Sequence, residues 1–299
     1  MVLTVLKKIS KEEINKIMYK LVISGGDSFT FGAELSSNSK SFKPHKKSWA
    51  NIVANKIGLK HVNVAHSGRS NSYIARHVIN QINDAITNNI NPADIFVQVM
   101  WTFTNRCEFA LAMPIPEYDS PWLGITPYTH IDETKSNWFR KLTKNTKNWT
   151  GVYNDLKNSY TRYQELGIVD FASQYQKIVQ TATLHNTYSS LREILLLQNI
   201  LELQQIRYVF SYVNQDVMIG LFNDDSNNVF TNSLRNFIKK EDWYSFPGDF
   251  QEYVGFDDWA KENKYKYATS HPLELAHADA AALMHQHIQN RGYNKTILE

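Results

Sequence analysis

Four short runs of apolar, largely β-branched residues punctuate the chain: LVIS at 21–24, HVNVA at 61–65, DIFVQVM at 94–100 and IRYVFSYV at 206–213. Continuous apolar runs, rather than alternation, are the signature of strands covered on both faces. The segments between them carry the helical period instead. SWANIVANKIG sets Trp49, Ile52, Val53 and Ile57 on one stripe and closes on Gly58, a residue suited to a helix C-terminus. YIARHVINQINDAI repeats the stripe with Ile74, Val78 and Ile82, and SSLREILLLQNILELQQ leads straight into the fourth run. HPLELAHADAAALMHQHI predicts a terminal helix with Pro272 near its start.

Alternation of this kind implies right-handed crossovers and a parallel sheet with helices on both faces. The expected fold class is α/β: a three-layer α/β/α sandwich around a central parallel sheet of about five strands, with KYKYA at 264–268 as the fifth. Ligands of such sheets sit beyond the carboxyl ends of the strands. Asp27 and Ser28 follow the first run, Gly68 and Asn71 the second, and Thr102 to Arg106 the third. From 107 to 187 the rhythm breaks into aromatic-rich, irregular sequence, too long for a structureless loop and expected to form an insertion or lid over the site.

Ser28, in KLVISGGDSFTFG, lies where a buried strand gives way to a helix or turn. In the plainest reading Asp27 or Ser28 caps that helix, or its N–H groups hold an anion. A nucleophilic serine requires a base and oxyanion donors besides. Of the 10 histidines, His271 stands before Pro272 at the mouth of the terminal helix and after the fifth run, so it is expected in the same crevice. His277, inside that helix, is expected to make a structural hydrogen bond.

GGDSFTFG resembles the first sequence block of the SGNH, or GDSL, hydrolases; NVAHSGRSN resembles the second and SHPLELAH the last. The resemblance runs from residue 20 to about 288, apart from the 107–187 insertion, within a single domain of 1–299. It implies a flavodoxin-like hydrolase fold, with Ser28 as nucleophile, His271 as general base, backbone N–H groups of Ser28 and Gly68 at the oxyanion, and Asp27 orienting the loop. No G-x-S-x-G elbow of the common α/β-hydrolase type is present.

Two departures stand out. Where the family carries G-x-N-D this chain reads MWTFTNRCEF, so the oxyanion side chain is either Asn105 or Asn71. Where the family carries D-x-x-H this chain has Ala268, so a Ser–His dyad steadied by a backbone carbonyl is expected, with Asp257 or Asp258 as alternatives. Arg106 and Arg69 follow strand ends and would bind a substrate carboxylate or pair with a loop acid such as Glu108.

Composition narrows the partners. Net charge is +3 with no dense Lys/Arg block, so no nucleic-acid partner is expected. A single cysteine allows no internal disulfide, and the charged N-terminal sequence suits no signal peptide, so a cytoplasmic location is expected, with a phage particle also open. No membrane span, cofactor or metal is expected. Sixteen tyrosines and seven tryptophans serve ordinary packing in the plainer reading and form a face that stacks on sugar rings or other flat ligands in the sharper one. The expected activity is hydrolysis of an ester, an O-acetyl group on a carbohydrate, through an acyl-enzyme. The competing readings are a catalytically lapsed scaffold in a larger assembly and a nucleotide binder using Gly25 and Gly26.

Overall fold

The computed structural model describes residues 20–35, 43–115, 120–125, 183–222, 228–248 and 253–292, with residues 167, 170, 171, 174, 175 and 177 between them. The expectations for the N-terminal sequence and for most of the 107–187 insertion lie outside the described residues.

Each apolar run becomes a strand. β1 (Leu21–Gly25), β2 (Lys60–Asn63), β3 (Ile95–Trp101) and β6 (Arg207–Tyr212) form one parallel sheet in the order β2-β1-β3-β6. Side-chain alternation sorts their residues into two cores. Ile23, Val97, Val99, Trp101, Phe210 and Tyr212 pack beneath α3 (Asn71–Thr87), α4 (Thr183–Leu203) and α5 (Gln215–Phe222). Val22, Phe96, Met100 and Val209 pack beneath α2 (Trp49–Ile57), α7 (Phe256–Glu262) and α8 (Glu274–Asn290). The three-layer α/β/α arrangement therefore follows from strands that are apolar on both faces. Two short helices, α1 (Ser28–Phe31) and α6 (Val229–Arg235), complete the set used below.

The insertion opens with a hairpin, β4 (Cys107–Ile115) and β5 (Ser120–Ile125), separate from the main sheet. Helix α4 begins at Thr183, several residues before the SSLREILLL stripe, with Thr187 donating to the Gly220 carbonyl at 2.8 Å.

The expected fifth strand is absent from this sheet. Helix α7 ends at Asn263, Lys264 takes the left-handed conformation (φ 57°), and Tyr265 N–H bonds back to Ala260 O. The chain then folds into a tight turn closed by Leu273 N–H to Lys266 O (2.9 Å) and Ala268 N–H to His271 O (3.0 Å). KYKYA is thus spent on a helix exit and a turn, leaving only an isolated bridge between Tyr267 and Pro272.

Strand order fixes where the crevice lies. From β1 the chain crosses to β2 by way of α2 on one face, then back over β1 to β3 by way of α3 on the other. The sheet therefore has its switch point between β1 and β3, where helices diverge and open a cleft at the strands' carboxyl ends.

One buried histidine, His277, and two half-buried ones, His61 and His77, are held toward the neutral form. His277 accepts the Trp49 N–H at Nδ1 (3.1 Å), the structural bond expected of it, and burial pulls its pKa down to about 3. Burial pulls His61, bonded to Ser24 Oγ at 2.7 Å, down to about 4. His77 also falls to about 4, through burial first and then the charges of Arg76 and Arg69. Because these folded values lie below the unfolded value of about 6.5, the unfolded chain binds protons first as the pH drops. Melting temperature should therefore fall on acidification from about pH 6.5 toward about pH 4, and His277→Gln should flatten that slope.

Candidate functional site

The two glycines of ISGGDS answer to sterics. A Cβ on Gly25 would lie 2.5 Å from Val78 Cγ2 of α3, and one on Gly26 would lie 2.1 Å from Thr30 Oγ1. Helix α1 can therefore turn off the end of β1 only because both side chains are missing. Asp27 is its N-cap, accepting the Phe29 N–H at Oδ1 (3.0 Å), which makes Ser28 the first helical residue. A carboxylate already occupies this one-turn helix start. That fills the position a phosphate would need, so the Gly25/Gly26 nucleotide-loop reading has no support in the geometry.

Asp27 is fully buried and pins three segments together. Its Oδ2 accepts from Thr102 Oγ1 (2.7 Å) and from Arg106 Nη1 (2.7 Å), and Arg106 also donates to Thr102 Oγ1 (2.9 Å) and to the Arg69 carbonyl (3.4 Å). The Arg106 side chain is only 8% exposed. The loops after β1, β2 and β3 are thus gathered at the switch point by one charge pair. Arg106 had two expected roles, to bind a substrate carboxylate or to pair with Glu108 or another loop acid; it pairs with a loop acid, Asp27, while Glu108 pairs with Arg76 at 2.8 Å.

Gly68, in the loop after β2, has φ 73° and open space where a Cβ would be. Among the described residues, neither the Ser28 N–H nor the Gly68 N–H has a hydrogen-bond acceptor. Asn71 is excluded as an oxyanion donor by its own bonds. It is 2% exposed, gives its amide hydrogens to Thr102 O (3.0 Å) and Ser190 Oγ (3.1 Å), and accepts the Thr102 N–H (3.0 Å). It ties α3 to α4 and to the end of β3 instead. Asn105 lies half-buried in the turn between β3 and β4.

His271 sits near the tip of the Lys266–Leu273 turn, its ring 4.8 Å from that of Phe29, the neighbour of Ser28. Ser28 is 6% exposed, and no hydrogen bond joins its hydroxyl to His271. Such contacts commonly tighten only once substrate is bound.

The sequence expectation fails at the acid. No carbonyl near Ala268 holds the imidazole; the Ala268 N–H is itself spent on the His271 carbonyl. Asp257 is bonded to Lys261 and Tyr267, and Asp258 accepts from Gln215 and Gly255 N–H groups. Two groups meet the ring at Nδ1, Ser270 Oγ at 3.0 Å and the carboxylate of Glu34. Its Oε2 lies 3.0 Å from His271 Nδ1 and also accepts the backbone N–H groups of His271 (3.0 Å) and Ser270 (2.9 Å). Burial alone would raise the Glu34 pKa, but the hydrogen bonds from Ser270 and His271, with the imidazole charge, outweigh it and hold the carboxyl below its usual range. The approach has a backbone cost: Gly32 caps α1 at φ 78° and Glu34 itself sits at φ 65°. A non-glycine residue in the left-handed region is uncommon and is held there only by its surroundings.

Sequence reasoning missed Glu34 because it sought the acid near the histidine, whereas Glu34 is 237 positions away. The available signal was an acid six residues past Ser28, just beyond the glycine that ends α1. Among the described residues no group of His, Cys, Asp and Glu gathers as a metal site, and no helix is long and apolar enough to cross a membrane.

No protein-family model matches this chain, and neither does any curated protein. Among solved structures it is similar to the psychrotrophic esterase EstA from Pseudoalteromonas sp., at 10% identity and TM-score 0.41, over 92% of this chain and all of that one. It is also similar to an acetyl xylan esterase, Est2A, from the rumen bacterium Butyrivibrio proteoclasticus, at 13% identity and TM-score 0.43, over 92% of this chain and 64% of that one. A third is the lipase Lip_vut3 from goat rumen metagenome, at 11% identity and TM-score 0.39, over 89% and 96% of the two chains. At these identities and scores the function has to be argued from the site itself.

Replacing Arg106 by Met should leave the buried Asp27 carboxylate unpaired and cost about 3–5 kcal/mol, read as a lower denaturant midpoint.

Proposed function

We propose that the protein is a carboxylic ester hydrolase in which Ser28, His271 and Glu34 act as nucleophile, base and orienting acid. The observation that carries this reading is the Glu34–His271 bond. A carboxylate fixed by two backbone N–H groups grips Nδ1 at 3.0 Å, so the ring carries its hydrogen there and presents Nε2 as the free acceptor. Ser28 Oγ attacks the ester carbonyl as its proton passes to Nε2. The tetrahedral oxyanion takes the N–H groups of Ser28 and Gly68, both without acceptors among the described residues and both ready before charge develops. Collapse breaks the ester C–O bond, and the imidazolium returns its proton to the leaving alkoxide. Water, deprotonated by the same nitrogen, then releases the acid and restores Ser28.

The substrate proposed is an O-acetyl ester of a carbohydrate. Support comes from the aromatic-rich insertion and from a run of rings beside α1: Phe31 to His66 at 5.6 Å, His66 to Tyr73 at 6.4 Å and Tyr73 to His77 at 3.8 Å. Phe31 and His66 are only half-buried, leaving ring surface for a sugar. The lapsed-scaffold alternative drew its force from a missing acid and a displaced asparagine, and Glu34 answers the first of these.

A fluorophosphonate serine probe should label the wild-type protein and leave Ser28→Ala and His271→Ala unlabelled. Absence of labelling in a folded wild-type protein would sink the proposal. Glu34→Gln should retain labelling at a rate reduced roughly a hundredfold or more, the order seen when a preorganised catalytic contact is lost.

A further inference from the structure

Three arginines, Arg69, Arg76 and Arg106, gather at the carboxyl ends of the strands, and two are accounted for. Arg106 is paired with Asp27 and Arg76 with Glu108. Arg69 follows Gly68 directly and has no ion-pair or hydrogen-bond partner for its guanidinium among the described residues; its Nε is buried and unsatisfied. Packing holds the group in place, and the nearby carboxylate whose charge it feels, Glu108, is already paired with Arg76. The Arg69 Cζ lies 4.8 Å over the Tyr73 ring, and a Cβ on Gly124 of β5 would come within 3.4 Å of its Nη1, so the hairpin's backbone approaches the guanidinium closely where a glycine stands. Among the described residues, Asp27 and Glu108 are each taken up by an arginine other than Arg69, and the neighbouring His66 and His77 add no negative charge. Burial lowers the pKa of both, and the charge of Arg69 lowers it further.

The Nε atoms of Arg76 and Arg106 are orphaned in the same way, so what sets Arg69 apart is its pair of Nη groups, which have no acceptor among the described residues on a cation held by stacking. The anion it fits is planar and bidentate, since the guanidinium fork matches a carboxylate. Its position is equally telling, one residue from the proposed oxyanion donor and against the ring run beside α1.

We propose that Arg69 binds a carboxylate carried by the ester substrate, so that the enzyme prefers acidic esters to neutral ones. This rests on the esterase reading above. The carboxylate has two possible sources, the sugar (a uronic acid) or the acyl group (a hemiester), and the geometry at Arg69 suits either.

The test compares kcat/KM for an O-acetylated glucuronic acid glycoside with its glucose counterpart, and for 4-nitrophenyl hemisuccinate with 4-nitrophenyl acetate, in wild type, Arg69→Gln and Arg69→Lys. Wild type should favour the acid member of one pair by about tenfold or more, chiefly through KM, the scale of one charge-assisted pair. Which pair responds identifies the side of the ester that carries the charge. Arg69→Gln should bring that ratio near unity, and Arg69→Lys should restore part of it. A wild-type ratio near unity in both pairs, or a preference that survives Arg69→Gln, overturns the inference. Calorimetry of the same compounds with Ser28→Ala separates the two claims. If the wild type hydrolyses none of the four esters the esterase reading fails, yet a binding preference for the acid member that vanishes in Ser28→Ala/Arg69→Gln still upholds the carboxylate site, and equal binding sinks it.

Discussion

The site depends on one buried charge pair. Asp27 is wholly withdrawn from water, which is tolerable only because Arg106, Thr102 and the Phe29 N–H satisfy its carboxylate together. Those partners belong to α1 and to the loop after β3, and Arg106 reaches on to the carbonyl of Arg69 after β2. Three chain segments that meet nowhere in sequence are thereby held at the switch point of the sheet. The aspartate is acceptor and counter-ion, and it takes no part in bond making. Its job is to fix where Ser28 begins its helix.

The second constraint is how an acid reaches the histidine. In the family that this sequence resembles, acid and base lie on one turn; here they come from opposite ends of the chain. The Lys266–Leu273 turn closes on itself and carries His271 near its tip, anchored by Tyr267 to Asp257 (2.8 Å) and by Tyr265 to Asp279 (2.6 Å). Glu34 meets it after two left-handed residues, Gly32 and Glu34 itself. The bonds from Ser270 and His271 offset the strain at Glu34, so its carboxylate holds the ring and also fastens the turn to the segment that follows helix α1. Orientation and fastening are the same contact.

A third feature is the surplus of positive charge. Asp27 and Glu108 each neutralise one arginine, and the group left over is the one beside Gly68. The stacking of Arg69 on Tyr73 settles its position while leaving its charge to act.

The local sequence determined the layers. Apolar runs covered on both faces, separated by helical stripes, admit little besides a parallel sheet with helices on either side, and the four strands and their helices lie where that pattern set them. It likewise marked Asp27, Ser28, Gly68 and Arg106, because unusual residues at strand ends converge in any such fold; His271 was placed beside them on a fifth strand that does not form, and a closed turn carries it instead. The fifth strand was misread because KYKYA has strand-like composition, while its backbone hydrogen bonds go to a helix exit and a turn. Asn71 was misread because an amide at a strand end looks the same whether it faces a ligand or is spent on Thr102 and Ser190. The acid lay beyond local reasoning altogether. Glu34 and His271 are brought to 3.0 Å only by two helix-terminal reversals and a closed turn. Hydrophobic periodicity reports what an element buries; contacts across such a distance in sequence depend on how the ends of elements turn, and that is decided only when the whole chain has packed.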